Sequence, residues 1–315
     1  MNRNISLDCY RLLLSFFVVA IHVNIVTPQL FPFLGWCISS GISRIAVPSF
    51  FIISGLFISS IIQDKNKFKK YIYKYLTIHI VWLIIYFPFF SIELGSIDFP
   101  SYIRFIIVVI LGWGHLWYVP ALIGGVMSIY VLKRMNVKNE ILLVLALFLF
   151  LCGYLLQRVY LLGFSIPTST LTRNFIFMGF PFIFIGYYIS QKKYIGQFRA
   201  NKKNMTLLIT LLTLLVIESY FCYTQNRGSD FFLVLPLLSP LLLAFISKLK
   251  VNPNIDSGFI AKLSGGIYFS HNIFRFLLGE IIDVDSIKMY ILVLFFSILS
   301  SVVIILLNKK IKIFL

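Results

Sequence analysis

The chain has 315 residues, of which 59% are hydrophobic and only 12% charged, with a mean hydropathy of +0.93. A water-soluble domain of this size lacks the polar surface to cover so much apolar area, so the lipid bilayer is the expected surrounding. The net charge of +17 does not point to nucleic acid, because the lysines lie in short runs between long apolar stretches, as membrane topology requires.

Taken in chain order, apolar stretches long enough to cross a bilayer fall at roughly 7–27, 38–62, 71–92, 103–133, 140–157, 172–191, 205–224, 230–248, 259–279 and 287–308. The first keeps Asp8, Arg11 and His22 and reads as a retained helix, not a cleaved signal. The fourth is too long for one crossing. Gly112-Trp113-Gly114 divides it, so 103–113 reads as an interfacial or re-entrant piece leading into a helix from His115. The pattern predicts an all-α polytopic membrane protein of about ten transmembrane helices, both termini cytoplasmic, in one domain over 1–315 with no separate soluble domain.

Basic residues test that topology. Alternate connections carry Lys65, Lys67, Lys69 and Lys70; Lys133, Arg134 and Lys138; Lys192, Lys193, Arg199, Lys202 and Lys203; and Lys248 and Lys250, while Lys309, Lys310 and Lys312 follow the last segment. The opposite connections hold Glu93 and Asp98, or Glu280, Asp283 and Asp285. One crossing more or fewer would invert every later loop and destroy the alternation. The four cysteines (Cys9, Cys37, Cys152, Cys222) sit inside apolar segments without paired spacing, so neither a disulfide framework nor a metal site is expected.

Ionisable groups inside a bilayer cost at least ~2.5–3.5 kcal/mol each, which makes each a functional candidate. Asp8 and Arg11 are spaced to share a helix face. His22 lies eleven residues beyond Arg11, about three turns and roughly 16 Å along the same stripe. An imidazole titrates near neutrality and suits the removal of a hydroxyl proton. The same depth arithmetic puts Arg44, His115 with Trp117 and Tyr118, Arg173, Glu218 and His271 near the level of His22, from several different helices. That convergence predicts a central polar cavity open to the outer side, with Arg11 marking an approach from the cytoplasm. His79, without companions at its depth, reads as a structural histidine. Pro48, Pro120, Pro181, Pro236 and Pro240 fall inside spans, where neighbouring helices satisfy freed backbone groups.

These residues resemble a known family. Leu7-Asp8-x-x-Arg11, ten residues and then His22 is similar to the R-x10-H signature of the acyltransferase-3 membrane family. Arg44-Ile45-Ala46-Val47-Pro48-Ser49-Phe50-Phe51-Ile52-Ile53-Ser54-Gly55 is similar to its second-helix motif, His115-Leu116-Trp117-Tyr118 to its H-L-W-F/Y element, and Gly266-Ile267-Tyr268-x-x-His271 to its late I-Y-x-x-H element. The basic start of the third span departs from many members, with lysines such as Lys70 and Lys74 where arginine is common, and no fused extracytoplasmic domain is expected.

The resemblance implies a multi-pass enzyme of the bacterial cytoplasmic (inner) membrane. It would move an acyl group, most often acetyl, from cytoplasmic acyl-CoA to a hydroxyl of a surface polysaccharide such as O-antigen, or of a lipid-linked oligosaccharide. Acetyl-CoA would be the donor substrate, with no metal. His22 would be the catalytic histidine, Arg11 the essential arginine and Asp8 its partner, with Arg11, Ser54, Lys70 and Lys74 toward acyl-CoA. Arg44, His115, Trp117, Tyr118, Arg173, Glu218 and His271 would shape the acceptor cavity. A covalent acyl-histidine or acyl-serine relay, with Ser54 as candidate, is the mechanistic alternative. A transporter or flippase for a lipid-linked glycan or small anion is the alternative from another class, since such proteins also hold polar groups at mid-membrane.

Overall fold

The computed structural model describes residues 4–23, 32–94, 99–161, 171–251, 256–282 and 287–315, and among these every regular element is helical. Helix α1 (Ile5–His22) begins where the Asn4 side chain accepts the Ser6 backbone N–H at 3.0 Å. Next come α2 (Pro32–Trp36), a π-helical turn (Cys37–Gly41), a 3-10 turn (Ile42–Ile45), α3 (Ala46–Phe57) and α4 (Ser59–Gln63). Asp64 caps α5 (Lys65–Leu94), and hydrogen bonds from the backbone N–H groups of Lys67 and Asn66 hold its carboxyl below the usual carboxylate value.

The fourth apolar stretch breaks where the glycines were expected to divide it. Helix α6 (Phe99–Leu111) ends at Gly112, whose φ of 85° belongs to glycine, and a 3-10 turn (Gly114–Trp117) leads into α7 (Tyr118–Arg134). Helix α8 (Asn139–Leu161), a second π-helical turn (Phe175–Gly179), α9 (Phe180–Gln191), the short α10 (Tyr194–Gln197), α11 (Lys202–Thr224), α12 (Leu235–Ser247), α13 (Ser257–Gly279) and α14 (Ile287–Lys310) complete the chain.

Among the described residues, seven segments are long and apolar enough to cross a membrane: Ile5–His22, Pro32–Phe57, Lys65–Ser91, Gly114–Arg134, Asn139–Val159, Lys202–Thr224 and Ile287–Lys310. The chain is therefore a polytopic helical membrane protein. The expectation of about ten crossings rests on three further helices. Phe175–Gln191 and Leu235–Ser247 are shorter. At 1.5 Å per residue the latter spans about 20 Å, less than the ~30 Å hydrocarbon layer. Helix α13 is long but carries Lys262, His271 and Arg275. The physical reason is shared: α9 and α12 are largely buried by neighbouring helices, as is the middle of α13, so they need not match the lipid themselves. The acidic loop residues Asp98, Asp283 and Asp285, and the end of the first stretch at 24–27, lie outside the described residues.

The helices associate through small residues. Helix α3 packs extensively on α9, and a Cβ built on Gly55 would stand 2.0 Å from the Ile183 carbonyl oxygen, while one on Gly186 would stand 2.1 Å from that of Ile52. The two backbones thus touch through reciprocal glycines, an approach that van der Waals packing in lipid favours. The other extensive contacts run α1 to α13 and α13 to α14, which makes α13 the central strut behind the His22 stripe. Pro48, Pro120, Pro181 and Pro236 fall in the first turn of their helices, where a missing N–H breaks no ladder bond, so only Pro240 of the five needs the neighbouring-helix compensation expected above.

Candidate active site

The last turn of α1 delivers His22 into a cavity with an empty volume of about 520 Å³, whose walls include Arg44, His115, Trp117, Tyr118, Arg173 and Asp230. His115 and His271 crowd the same imidazole. Ring centroids are 5.1 Å apart for His22 and His271, 4.8 Å for His115 and His271, and 6.2 Å for His22 and His115. Two of the three rings are fully enclosed, His115 at 2% and His271 at 0% exposure.

Their hydrogen bonds fix what each can do. His271 Nδ1 lies 2.7 Å from the Tyr268 carbonyl oxygen and 3.2 Å from that of Ile267. A carbonyl only accepts, so Nδ1 carries the proton and Nε2 keeps its lone pair. That Nε2 is buried with no hydrogen-bond partner, and so is Nε2 of His115. His115 Nδ1 meets the Asn272 side-chain amide nitrogen at 2.8 Å, and the Tyr268 hydroxyl donates to the His115 carbonyl. Among the described residues, two buried ring nitrogens thus stand beside His22 without protein partners, where buried polar atoms are ordinarily paired.

Asp230 sits on the opposite wall between two arginines. Arg173 grips it with Nε at 2.7 Å from Oδ2 and Nη2 at 3.1 Å from Oδ1, and Arg44 donates to the same Oδ1. Gln157 orders the turn that presents it, its amide oxygen accepting from the Ser229 hydroxyl at 2.9 Å and the Asp230 backbone N–H at 2.8 Å. Behind it Arg158 pairs with Glu218, whose other oxygen accepts the Leu233 N–H at 2.9 Å. Two cations against one carboxylate leave a positive charge in excess beside His22. Arg44 lies in the 3-10 turn that follows one π-helical turn and Arg173 two residues before the other, a winding that recurs at functional sites.

At the other end of α1, a second cavity with an empty volume of about 1050 Å³ is lined by Arg11, Lys74, Lys262, Tyr75 and Asn308 among others. Arg11 pairs with Asp8 at 3.2 Å, as the spacing suggested, and Asp8 also accepts the Ser257 hydroxyl at 2.7 Å. The Asn308 side chain accepts the backbone N–H groups of Phe314 and Leu315 at 3.0 and 3.3 Å, which folds the end of the chain back so that Leu315 lines this cavity. Tyr118 and Tyr268 line both cavities, their rings 5.5 Å apart and edge-on, with Phe50 packed against each. A wall of a few aromatic side chains therefore separates the cationic cavity from the imidazole cluster.

A family model described as an acyltransferase domain, acyltransferase-3, matches residues 4–307. The chain belongs to the acyltransferase-3 family. Among curated proteins, an amino-acid racemase of Enterococcus faecalis is 28% identical to this chain over 331 residues, covering 96% of this chain and 45% of that protein. A serine/alanine racemase of Enterococcus gallinarum is 26% identical over 288 residues, covering 85% of this chain and 40% of its own length. The chain thus spans less than half the length of these relatives. No solved structure matches it.

Of the residues singled out from sequence, His22, Arg44, His115, Trp117, Tyr118 and Arg173 line one cavity, with His271 directly behind it. Arg11 and Lys74 line the other. Three stand elsewhere. Glu218 is turned away to Arg158 and braces the Asp230 turn. Ser54 bonds the Phe50 carbonyl at 2.9 Å and lies 3.5 Å from the Tyr118 hydroxyl. Lys70 is on the exposed face of α5. His79, read as structural, places Nε2 2.9 Å from the Val109 carbonyl. Sequence reasoning missed Asp230, Lys262 and Asn272, and named Tyr268 only within a family motif, without a role. Asp230 was visible as a carboxylate opening an apolar stretch, and Lys262 as a cation near the start of another.

Proposed function

We propose that this membrane acyltransferase moves an acyl group, acetyl in the simplest case, from acyl-CoA entering at the Arg11 end to a hydroxyl of an extracytoplasmic or lipid-linked glycan held at the His22 end. One observation carries the reading: the cationic cavity and the imidazole cavity share Tyr118 and Tyr268 as a common wall. A donor whose phosphates rest on Arg11, Lys74 and Lys262 has only that wall between its thioester arm and His22. Arginine's planar fork and the two ammonium groups suit phosphates, and exposed Lys70, one turn from Lys74, adds longer-range attraction. The lysine-rich connections support placing the Arg11 end in the cytoplasm of a bacterial cell, both termini included.

In the reaction His22 takes the proton of the acceptor hydroxyl, and the oxygen attacks the thioester carbonyl carbon. The tetrahedral oxyanion collapses, the carbon–sulfur bond breaks, and the CoA thiolate leaves with the proton that His22 returns. The unpartnered His115 Nε2 and the excess charge of Arg44 and Arg173 are placed to stabilise the oxyanion. Asp8 holds the Arg11 guanidinium in place, and His271 holds the His22 ring. Purified protein in nanodiscs, given radiolabelled acetyl-CoA, tests this: CoA release that needs His22 supports it, and absence of CoA binding contradicts it.

A second reading is a carrier for a small anion or amino acid. It is favoured by the racemase relatives, whose names concern amino acids, together with two cavities that meet across one thin wall. Counterflow of labelled serine in proteoliposomes, indifferent to acetyl-CoA, is the result that reading requires.

A further inference from the structure

A third cavity, with an empty volume of about 830 Å³, lies between α5, α6, α7 and the turn before α9. Its walls are mainly apolar and its rim faces lipid: Ile110 on α6 is 61% exposed, with Leu76 and Phe175 also exposed. Its inner end is lined by Trp117 and Arg173, the same two side chains that wall the His22 cavity. Helix α6 is held at the rim by the bond from His79 on α5 to the Val109 carbonyl. A greasy groove that opens sideways to the bilayer thus ends on a guanidinium beside the imidazole cluster.

We propose that the acceptor is a lipid phosphate that enters sideways from the bilayer: its apolar chain lies in this groove, its phosphate meets Arg173, and its hydroxyl-bearing head reaches His22. This rests on the acyltransferase reading and narrows its acceptor to the lipid-linked class. Two features select that occupant. Arg44 and Arg173 share the single carboxylate of Asp230, so the cluster keeps one uncompensated positive charge, and Arg173 is its more open member at 34% side-chain exposure against 13% for Arg44. Arg173 spends Nε and Nη2 on Asp230, so a phosphate would be held by its remaining Nη1 donors and by the excess positive charge. The groove also meets the reaction cavity at a shared wall of Trp117 and Arg173, whereas a soluble sugar would have no use for an apolar channel against that wall.

Binding to the full chain in nanodiscs, read by native mass spectrometry, tests this with farnesyl phosphate, farnesol and inorganic phosphate as probes. Farnesyl phosphate is expected to bind at least about tenfold more tightly than either of the others, a difference of roughly 1.4 kcal/mol. Ile110→Trp, which fills the groove from its lipid rim without touching a buried polar group, is expected to weaken farnesyl phosphate by about tenfold or more. Arg173→Lys, which keeps the charge but loses the fork, is expected to remove most of the preference over farnesol. Equal binding of farnesol, equal binding of inorganic phosphate, or indifference to Ile110→Trp each overturns the proposal. Acetyl-CoA binding in the same sample separates the two claims. Binding of acetyl-CoA without farnesyl phosphate overturns the lipid acceptor alone, and the reverse result supports the groove and overturns the acyltransferase reading.

Discussion

His22 is placed to act because its neighbours are committed elsewhere. His271 spends its Nδ1 proton on two backbone carbonyls and keeps a lone pair on Nε2, while His115 Nδ1 accepts from the Asn272 amide nitrogen and leaves the ring proton on Nε2; both Nε2 atoms are without a partner among the described residues. His22→Ala is expected to abolish acyl transfer while membrane abundance is unchanged, as measured by CoA release and by immunoblot of the membrane fraction. Arg11→Ala is expected to raise the Kd for acyl-CoA about tenfold or more, loss of a charge-assisted contact being worth roughly 1.5–3 kcal/mol, with little effect on acceptor binding in a direct titration. Asp230→Asn removes the carboxylate that bridges Arg44 and Arg173. Breaking a buried ion pair from one side costs about 3–5 kcal/mol, so a marked drop in thermal midpoint is expected in detergent, in contrast to a near-neutral change at exposed Lys70.

At the scale of elements, the glycine contact between α3 and α9 aligns the helix that carries Ser54 and Pro48 with the helix that follows Arg173. With Cβ positions 2.0 and 2.1 Å from facing carbonyl oxygens, Gly55→Val or Gly186→Val must push the backbones apart. Such overpacking costs about 1–3 kcal/mol, and both variants are expected to lose thermal stability by differential scanning fluorimetry even though neither lines the His22 cavity. Much of this layer was legible beforehand. Apolar length and glycine punctuation located the break between α6 and α7, because Gly112 needs a backbone that other residues avoid. The π-helical turns beside Arg44 and Arg173 left no trace in the sequence, since a π turn differs from an α turn by one residue of winding that composition does not encode. Glu218 shows the limit of depth arithmetic. It predicts how far along a helix a side chain lies but not which way it points, and Glu218 points to Arg158 on α8.

For the whole molecule, the helices divide into those that meet lipid and those that the others enclose. Seven segments have the length and apolarity to cross, while the shorter α9 and α12 and the polar α13 are packed inside and furnish much of the scaffold of the site. The R-x10-H stripe of α1 was readable because its period matches the helix, and it connects the two cavities that the fold builds at either end. The wall between them was not readable. It is made by Tyr118 of α7 and Tyr268 of α13, from distant parts of the chain, whose rings meet edge-on.

The central claim is that a donor bound at the Arg11 end reacts at His22 across that wall. Its most direct measurement is the rate of CoA release from acetyl-CoA by the purified protein, compared with that of His22→Ala, while acetyl-CoA binding is titrated in both. The account predicts that both proteins bind acetyl-CoA with similar Kd and that only the wild type releases CoA. Undiminished release by His22→Ala, or no acetyl-CoA binding by either protein, would contradict it.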